Sequence, residues 1–430
     1  MSDRDEAPGE RGATDRPDRA RRALLGRAAG APVLAAGAGL GFTSRSALAE
    51  PPPGVPKWMR EQGTGFINPP YGLPSPHEKH VVRVLPAGNN PFPTGSRTPI
   101  EKLHGTITPN GLFFERHHAG VPQIDPAQHR LMIHGLVARP LLLTMDELMR
   151  FPTVSRQHFL ECSGNSAALW KAPAGRTAQQ IHGLIAGAEW TGVMLSTLLG
   201  EVGLKPDASW LLAEGADAAA MTRSIPMDMA LRDAMVVWAQ NGEMLRPEQG
   251  YPLRLFLPGI EGNMSIKWLR RIKVGSEPFQ TREETSKYTD LMPDGTSRQF
   301  TFMMDAKSVI LSPSGGQKMG PTGFREISGI AWTGRGRITR VDVSVDGGRN
   351  WREATLQEPV QSKMITRFRL PWTWDGSPAI LQSRAMDETG YVQPTRDQLI
   401  AARGLNSLYH YNGIQSWGVA AGGEVTHVFA

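Results

Sequence analysis

A chain of 430 residues that contains one cysteine, Cys162, has no means of forming an intrachain disulfide. Whatever it folds into must therefore be held by buried apolar surface rather than by covalent staples. Length makes this feasible, since 430 residues exceed what one hydrophobic core usually serves, and two domains are the natural expectation. The same count excludes c-type haem bound to this chain, iron–sulfur clusters and cysteine-rich zinc sites. If this protein moves electrons, they leave to another protein.

The first 49 residues read as an export leader. Arg21-Arg22-Ala23-Leu24-Leu25 precedes the small, apolar run Ala28 to Phe42, and Ala47-Leu48-Ala49 supplies a small-x-small cleavage site before Glu50. The paired arginines point to the twin-arginine route and hence to the periplasm. A membrane anchor is disfavoured because the run is shorter than the ~20 residues that span a bilayer. A mitochondrial transit peptide is disfavoured by Asp3, Asp5 and Glu6. Chance arginines stay open as a third reading, because Ala20 stands where Ser or Thr is usual. The twin-arginine route carries folded proteins, which would suit a cofactor inserted before export. Without the leader the formal charge falls from +6 to +4, with 39 basic and 35 acidic residues. That is too weak for a nucleic-acid partner, and no basic stripe with interleaved aromatics exists.

Beyond the leader, residues 50–104 are rich in proline and glycine and are expected to form an extended arm, mostly loop. A folded centre is expected over 105–300. Leu131 to Val137, Trp210 to Ala213, Leu253 to Leu257 and Trp268 to Val274 read as strands. Thr144-Met145-Asp146-Glu147 has capping-box spacing and opens a short helix that Pro152 closes. Leu195, Leu198, Leu199 and Val202 form one helical stripe, and a further helix is expected over Met227 to Met235. The mixture predicts an α+β domain of irregular order. From about Ser308 helical periodicity disappears. Val341, Val343 and Val345 alternate with Arg340, Asp342 and Ser344, and Asp346-Gly347-Gly348 predicts a tight hairpin before Trp351. Met364 to Trp372 and Ile380 to Met386 continue the pattern, so residues 301–430 are expected to form an immunoglobulin-like β-sandwich of ~100 residues.

Four segments hold residues that could carry chemistry. Cys162 lies in Phe159-Leu160-Glu161-Cys162-Ser163-Gly164-Asn165, where Gly164 allows close approach of a ligand. A small core hydrophobe is the other reading of such a cysteine. A nucleophilic thiol or a blue-copper ligand is less well supported, because no histidine follows before His182. Phe113-Phe114-Glu115-Arg116-His117-His118 is polar and reads equally as a surface loop. Gln249-Gly250-Tyr251-Pro252-Leu253-Arg254 and Gly262-Asn263-Met264-Ser265-Ile266-Lys267-Trp268 each place a cation beside glycine-bearing backbone, or are ordinary loop-to-strand junctions. Together they fit one anionic cofactor that needs many hydrogen bonds.

In order and spacing these segments, with the late Val392-Gln393-Pro394, resemble the sulfite oxidase family of molybdenum enzymes across essentially all of the chain after the leader. The resemblance implies an α+β molybdopterin domain followed by an immunoglobulin-like dimerisation domain. It implies that Cys162 gives its thiolate to one molybdenum per chain. It also implies that Phe114, Glu115, Arg116, His117, His118, Asp217, Gln249, Arg254, Ser265, Ile266 and Lys267 hold the molybdopterin. Arg116 is the expected substrate-side residue, and Tyr288, in Ser286-Lys287-Tyr288-Thr289-Asp290, reads either as a second one or as a surface-loop tyrosine. A soft thiolate beside the pterin sulfurs suits a high-valent metal, and cations suit the pterin phosphate.

Two positions depart from the family pattern. Ala167 stands where sulfite oxidases carry an arginine that helps bind an oxyanion, and Gln249 replaces a usual histidine. Loss of a cation weakens capture of small free sulfite. The resemblance is accordingly strongest to the branch that oxidises a sulfane sulfur held on a carrier protein's cysteine. It implies transfer of electrons to a dihaem c-type cytochrome subunit, a homodimer through the C-terminal domain and so a heterotetramer. Sulfite dehydrogenation with a cytochrome c acceptor is the near alternative. A non-catalytic periplasmic binding protein is the remote one.

Overall fold

The run Met235-Val236-Val237-Trp238 is apolar at four successive positions, which marks a strand buried on both faces. In the computed structural model, which describes residues 73–85, 94–171 and 177–430, it is the strand Met235–Gln240. It pairs with Ile185–Met194, Glu243–Met244 and Arg254–Phe256, and Val154–Glu161 completes the sheet. Alternation sends Met235 and Val237 toward Phe113, Trp190 and Phe256, and Val236 and Trp238 toward Leu195, Leu198 and Leu199. The leader and its twin-arginine reading lie outside the described residues, as does the stretch 50–72 of the arm.

A second sheet runs in the order Leu141–Thr144, Arg130–Gly135, Leu269–Gly275, Trp210–Gly215, Thr222–Pro226. Only the pairing of Arg130–Gly135 with Leu269–Gly275 is parallel. At Gly135, φ is +102° and an added Cβ would fall 2.2 Å from the Val274 carbonyl oxygen, so glycine is required where this strand ends. The helix Leu195–Val202 buries its expected stripe between the two sheets. The capping box forms as its spacing predicts: Glu147 N–H donates to Thr144 Oγ1 at 3.1 Å and Thr144 N–H to Glu147 Oε2 at 2.9 Å. The helix Met227–Arg232 is shorter than expected, because Ala234 and Met235 belong to the apolar run that enters the first sheet.

The C-terminal part is a two-sheet antiparallel sandwich. One sheet has the order Lys307–Ser312, Gly323–Trp332, Thr366–Trp374, Thr355–Leu356. The other has Arg352–Glu353, Ile338–Ser344, Ala379–Asp387, Ser416–Val419, Val425–Val428. Val341, Val343, Trp332, Phe368 and Trp417 fill the space between them. Gln393, part of the Val-Gln-Pro motif, is a structural pin: its Oε1 accepts from Ser308 N–H and Ser308 Oγ at 2.8 Å each.

Two expectations need correction here. The hairpin after Ser344 is a seven-residue loop, 345–351, because Asp346 Oδ1 gathers the N–H groups of Arg349 and Asn350 at 3.1 and 3.0 Å. Helical structure does not vanish after Ser308 either, since Arg396–Arg403 is a helix with a Thr395/Gln398 capping box. Its low apolar content hid it, with Leu399 as its one fully buried aliphatic residue. Residues Pro74–Ala430 form a single compact unit. Among the described residues no helix is long and apolar enough to cross a membrane.

Candidate active site

Cys162 leaves the end of strand Val154–Glu161 as the first residue of a tight loop. Its N–H donates to the Leu184 carbonyl at 3.0 Å, and its own carbonyl accepts from Asn165 N–H at 2.8 Å. These bonds anchor the loop at both ends of the cysteine. Gly262 crosses so near that an added Cβ would stand 2.7 Å from the Glu161 carbonyl oxygen. The half-buried Cys162 thiol opens onto a cavity whose wall also carries Arg116, Arg254 and Lys267. Burial pushes that thiol up, although Gly164 N–H and Arg116 draw it down.

Cations dominate the inner wall. Arg254 is 3% exposed; its Nη1 donates to the Gln249 carbonyl at 3.2 Å, and its guanidinium lies 5.3 Å from the centre of the Trp190 ring. Its buried Nε has no hydrogen-bond partner. Lys267 Nζ donates to the Glu248 carbonyl at 2.9 Å and sits 4.4 Å from the centre of the Trp268 ring. Gln249 Nε2 donates to the Phe114 carbonyl at 2.9 Å, fixing the aromatic wall. Burial pulls Arg254 down to about 9, and burial together with Arg254 pulls Lys267 down to about 7. This is the signature of positive charge gathered without enough anions to balance it.

At the outer side His118 Nε2 lies 3.0 Å from the Tyr288 hydroxyl. Burial, then Lys267 and Arg116, bring His117 down to about 4, and burial, then Arg116 and Lys267, do the same to His118. Burial, with the Cys162 sulfur second, pushes the Tyr288 phenol up, so it remains a hydrogen-bond donor at any ordinary pH. Arg223 lies 5.2 Å from the centre of the Tyr288 ring and is itself held by Asn263 Oδ1 and by Glu261 at 3.3 Å. Asn263 Nδ2 also reaches Ser163 Oγ at 3.1 Å, beside Cys162.

Of the residues singled out from the sequence, Phe114, Arg116, His117, His118, Cys162, Asp217, Gln249, Arg254, Ser265, Ile266, Lys267 and Tyr288 all line this cavity. Glu115 does not. Its carboxylate is drawn to Arg83 at 3.6 Å, and it reaches the cavity only through its field on Lys267. Leu160, Met221, Gly262, Asn263 and Trp268 also line the wall. Leu160, Gly262, Asn263 and Trp268 fall inside segments already singled out, whereas Met221 is an apolar residue with no distinguishing signal. Ala167, in the turn Ala167–Trp170, is not on the wall.

The two depressed histidines have a consequence for the protein without its cofactor. Between about pH 4 and pH 6.5 the unfolded chain binds protons that His117 and His118 refuse when folded. Stability is therefore complete above about pH 6.5 and falls as the pH drops. Urea titrations of the cofactor-free protein should show lower stability at pH 5 than at pH 7, by about 1 kcal/mol per histidine once solvent screening of these partly open rings is allowed for, and His118→Gln should remove part of the difference.

Molybdopterin fits this wall on the chain's own terms. Arg254 offers a buried N–H with no partner, and Lys267 and Arg116 add positive charge that a phosphate would balance. Cys162 is the one thiol present, and among the described residues no three His, Cys, Asp or Glu side chains converge as a metal cluster. A lone thiolate suits a metal that arrives with other ligands already attached.

Comparisons with known proteins agree with this geometry. Residues 118–283 match the family described as oxidoreductase molybdopterin binding domain, and residues 298–416 match the Mo-co oxidoreductase dimerisation domain. The mitochondrial sulfite oxidase of Mus musculus is 32% identical over 306 residues, covering 66% of this chain and 55% of that protein. Sulfite oxidase of Gallus gallus is 32% identical over 289 residues, covering 62% of this chain and 63% of that one. The chain thus spans 55–63% of the length of these two relatives. The crystal structure of the sulfane dehydrogenase SoxCD from Paracoccus pantotrophus superposes with a TM-score of 0.85 at 49% identity, covering 87% of this chain and 97% of that one. With both of its domains matched and a cavity suited to the pterin, this chain belongs to the sulfite oxidase family of molybdopterin oxidoreductases.

Proposed function

We propose that this protein is a periplasmic oxidoreductase that oxidises a sulfane sulfur carried on the cysteine of a partner protein and passes the electrons to a c-type cytochrome subunit. The observation that carries the reading is the substrate side of the cavity. Arg116 stands beside Cys162, but at position 167, where a second guanidinium would clamp a small oxyanion, there is alanine off the wall. The outer wall is instead formed by Tyr288 and an uncharged His118, which suit a less charged group presented on a longer arm. The likeness to a sulfane dehydrogenase at 49% identity supports the same reading.

When bound, the molybdenum centre supplies oxygen-atom transfer from water and accepts two electrons. The chain's own residues prepare for it. Cys162 releases its proton on becoming a ligand, Arg254 and Lys267 hold the pterin phosphate, and Asp217, Gln249 and Ser265 offer polar contacts to the ring system. Arg116 orients the anionic end of the substrate, and Tyr288 donates a hydrogen bond at the mouth. Export by the twin-arginine route rests on the leader sequence, and homodimerisation through the C-terminal domain rests on the family description of residues 298–416. A dihaem cytochrome bound to each chain would make a heterotetramer.

Free sulfite with a cytochrome c acceptor is a second reading, favoured by the retention of Arg116 and by the likeness to sulfite oxidases. Steady-state assays with ferricytochrome c separate the two. Slow turnover on free sulfite with fast turnover on carrier-bound sulfane is expected, and robust turnover on free sulfite would overturn the first reading. Metal analysis of protein taken from the periplasm tests the non-catalytic alternative, which requires no molybdenum. Ala167→Arg should raise kcat/KM for free sulfite by about 10- to 100-fold, the worth of one charge-assisted contact.

A further inference from the structure

Glu161 immediately precedes Cys162 and is 1% exposed, yet its carboxylate is not on the cavity wall. Asn165 Nδ2 donates to its Oε1 at 2.9 Å from within the same loop. Its other partners come from the C-terminal sandwich. Trp332 Nε1 donates to Oε2 at 2.6 Å, and Lys307 Nζ lies 3.4 Å from Oε1. Lys307 and Trp332 are directly opposite each other on adjacent strands, so one rung of that sheet faces the cysteine loop.

Lys307 is itself 1% exposed. A buried ammonium is tolerated only where it is paired, and the apolar interior of a sandwich has no need of one. Its side-chain hydrogen bonds cross to the loop: besides Glu161, Nζ donates to Ser166 Oγ at 2.8 Å. Because that hydroxyl accepts from lysine, its own proton goes to His182 Nδ1 at 2.7 Å, which leaves His182 Nε2–H to donate to Gln415 Oε1 at 3.0 Å. His410 N–H donates to the Ser163 carbonyl at 2.8 Å. Residues 161, 163 and 166 are thus all fixed from the C-terminal part of the chain.

We propose that Lys307 and Trp332 are positioning residues for the metal ligand, so that the C-terminal domain completes the molybdenum site of its own chain by clamping the loop around Cys162 through Glu161 and Ser166. The inference rests on reading Cys162 as that ligand. Partners behind a metal ligand set its orientation, and their loss typically lowers metal affinity 10- to 100-fold.

The test uses the full chain, with whatever subunits it retains, purified from cells that make the cofactor. Lys307→Met, Lys307→Arg and Trp332→Phe are compared with wild type for molybdenum per chain, for the Mo(V) electron paramagnetic resonance spectrum and for melting temperature. Lys307→Met should lower molybdenum content at least severalfold and shift the Mo(V) g values of the fraction that loads. Lys307→Arg should restore much of both. Trp332→Phe, which leaves no uncompensated charge, should fold and shift the g values by a smaller amount. A lowered melting temperature with wild-type metal content and wild-type g values would show a merely structural role and overturn the proposal. If Lys307→Met does not fold, the spectrum of Trp332→Phe decides by the same criterion. Wild-type protein free of molybdenum would instead sink the cofactor reading, and this inference with it.

Discussion

Cys162→Ser is expected to yield a folded protein whose turnover on sulfur substrates is at least about a thousandfold lower, a loss of about 4 kcal/mol or more in transition-state stabilisation. The two halves of that expectation have separate causes. Cys162 is half-buried, and its backbone bonds to Leu184 and Asn165 do not involve the side chain. Exchanging sulfur for oxygen should therefore change stability by less than about 1 kcal/mol. The hydroxyl is a far weaker acid than the thiol and a hard donor where a soft one is needed, so the metal loses its one protein thiolate. Circular dichroism melting, metal analysis and steady-state rates check the parts independently. Unchanged turnover would remove Cys162 from the chemistry.

Arg254→Met should move stability and cofactor binding in opposite directions. The guanidinium is buried with an unpartnered Nε, and its side-chain hydrogen bonds go to Gln249. A buried charge of this kind opposes folding, as its depression by burial to about 9 records. Methionine fills similar volume and removes that penalty, while giving up the contact with Trp190 and the bonds to Gln249. The cofactor-free protein should gain about 1–2 kcal/mol net, read from the denaturant midpoint. Retention of the pterin should fall about 100-fold, because a buried charge-assisted contact to phosphate is lost. A variant that still loads fully and is no more stable would contradict both halves.

Much of the candidate site was legible through the family resemblance, whose motifs sit in short segments at strand ends. Cys162 follows the strand Val154–Glu161, Lys267 precedes Leu269–Gly275, and Arg254 opens Arg254–Phe256. What stayed hidden depends on pairs that no local pattern encodes. Arg223 and Glu261 are 38 residues apart, and Trp332 meets Glu161 across 171. Glu115 stands off the cavity wall while its neighbours face it, because a cation in the N-terminal segment, Arg83, claims its carboxylate. For the fold, alternation and helical stripes identified most elements. The helix Arg396–Arg403 escaped because its polar surface hides the period, although Thr395 and Gln398 have the spacing of a cap. Asp346-Gly347-Gly348 reads as a tight turn, but Asp346 Oδ1 gathers the N–H groups of Arg349 and Asn350 and shapes a longer loop, a reach that the local pattern does not encode.

The distances in sequence also say something about biosynthesis. Lys307 is translated 146 residues after Glu161, and Gln415 233 residues after His182. At roughly 5–20 residues per second, the ribosome needs on the order of 10–50 s to make the last of these partners. Throughout that interval the nascent cysteine segment lacks its supports, so its loop becomes a finished cradle only once Lys307 and Gln415 have been made and folded back onto it.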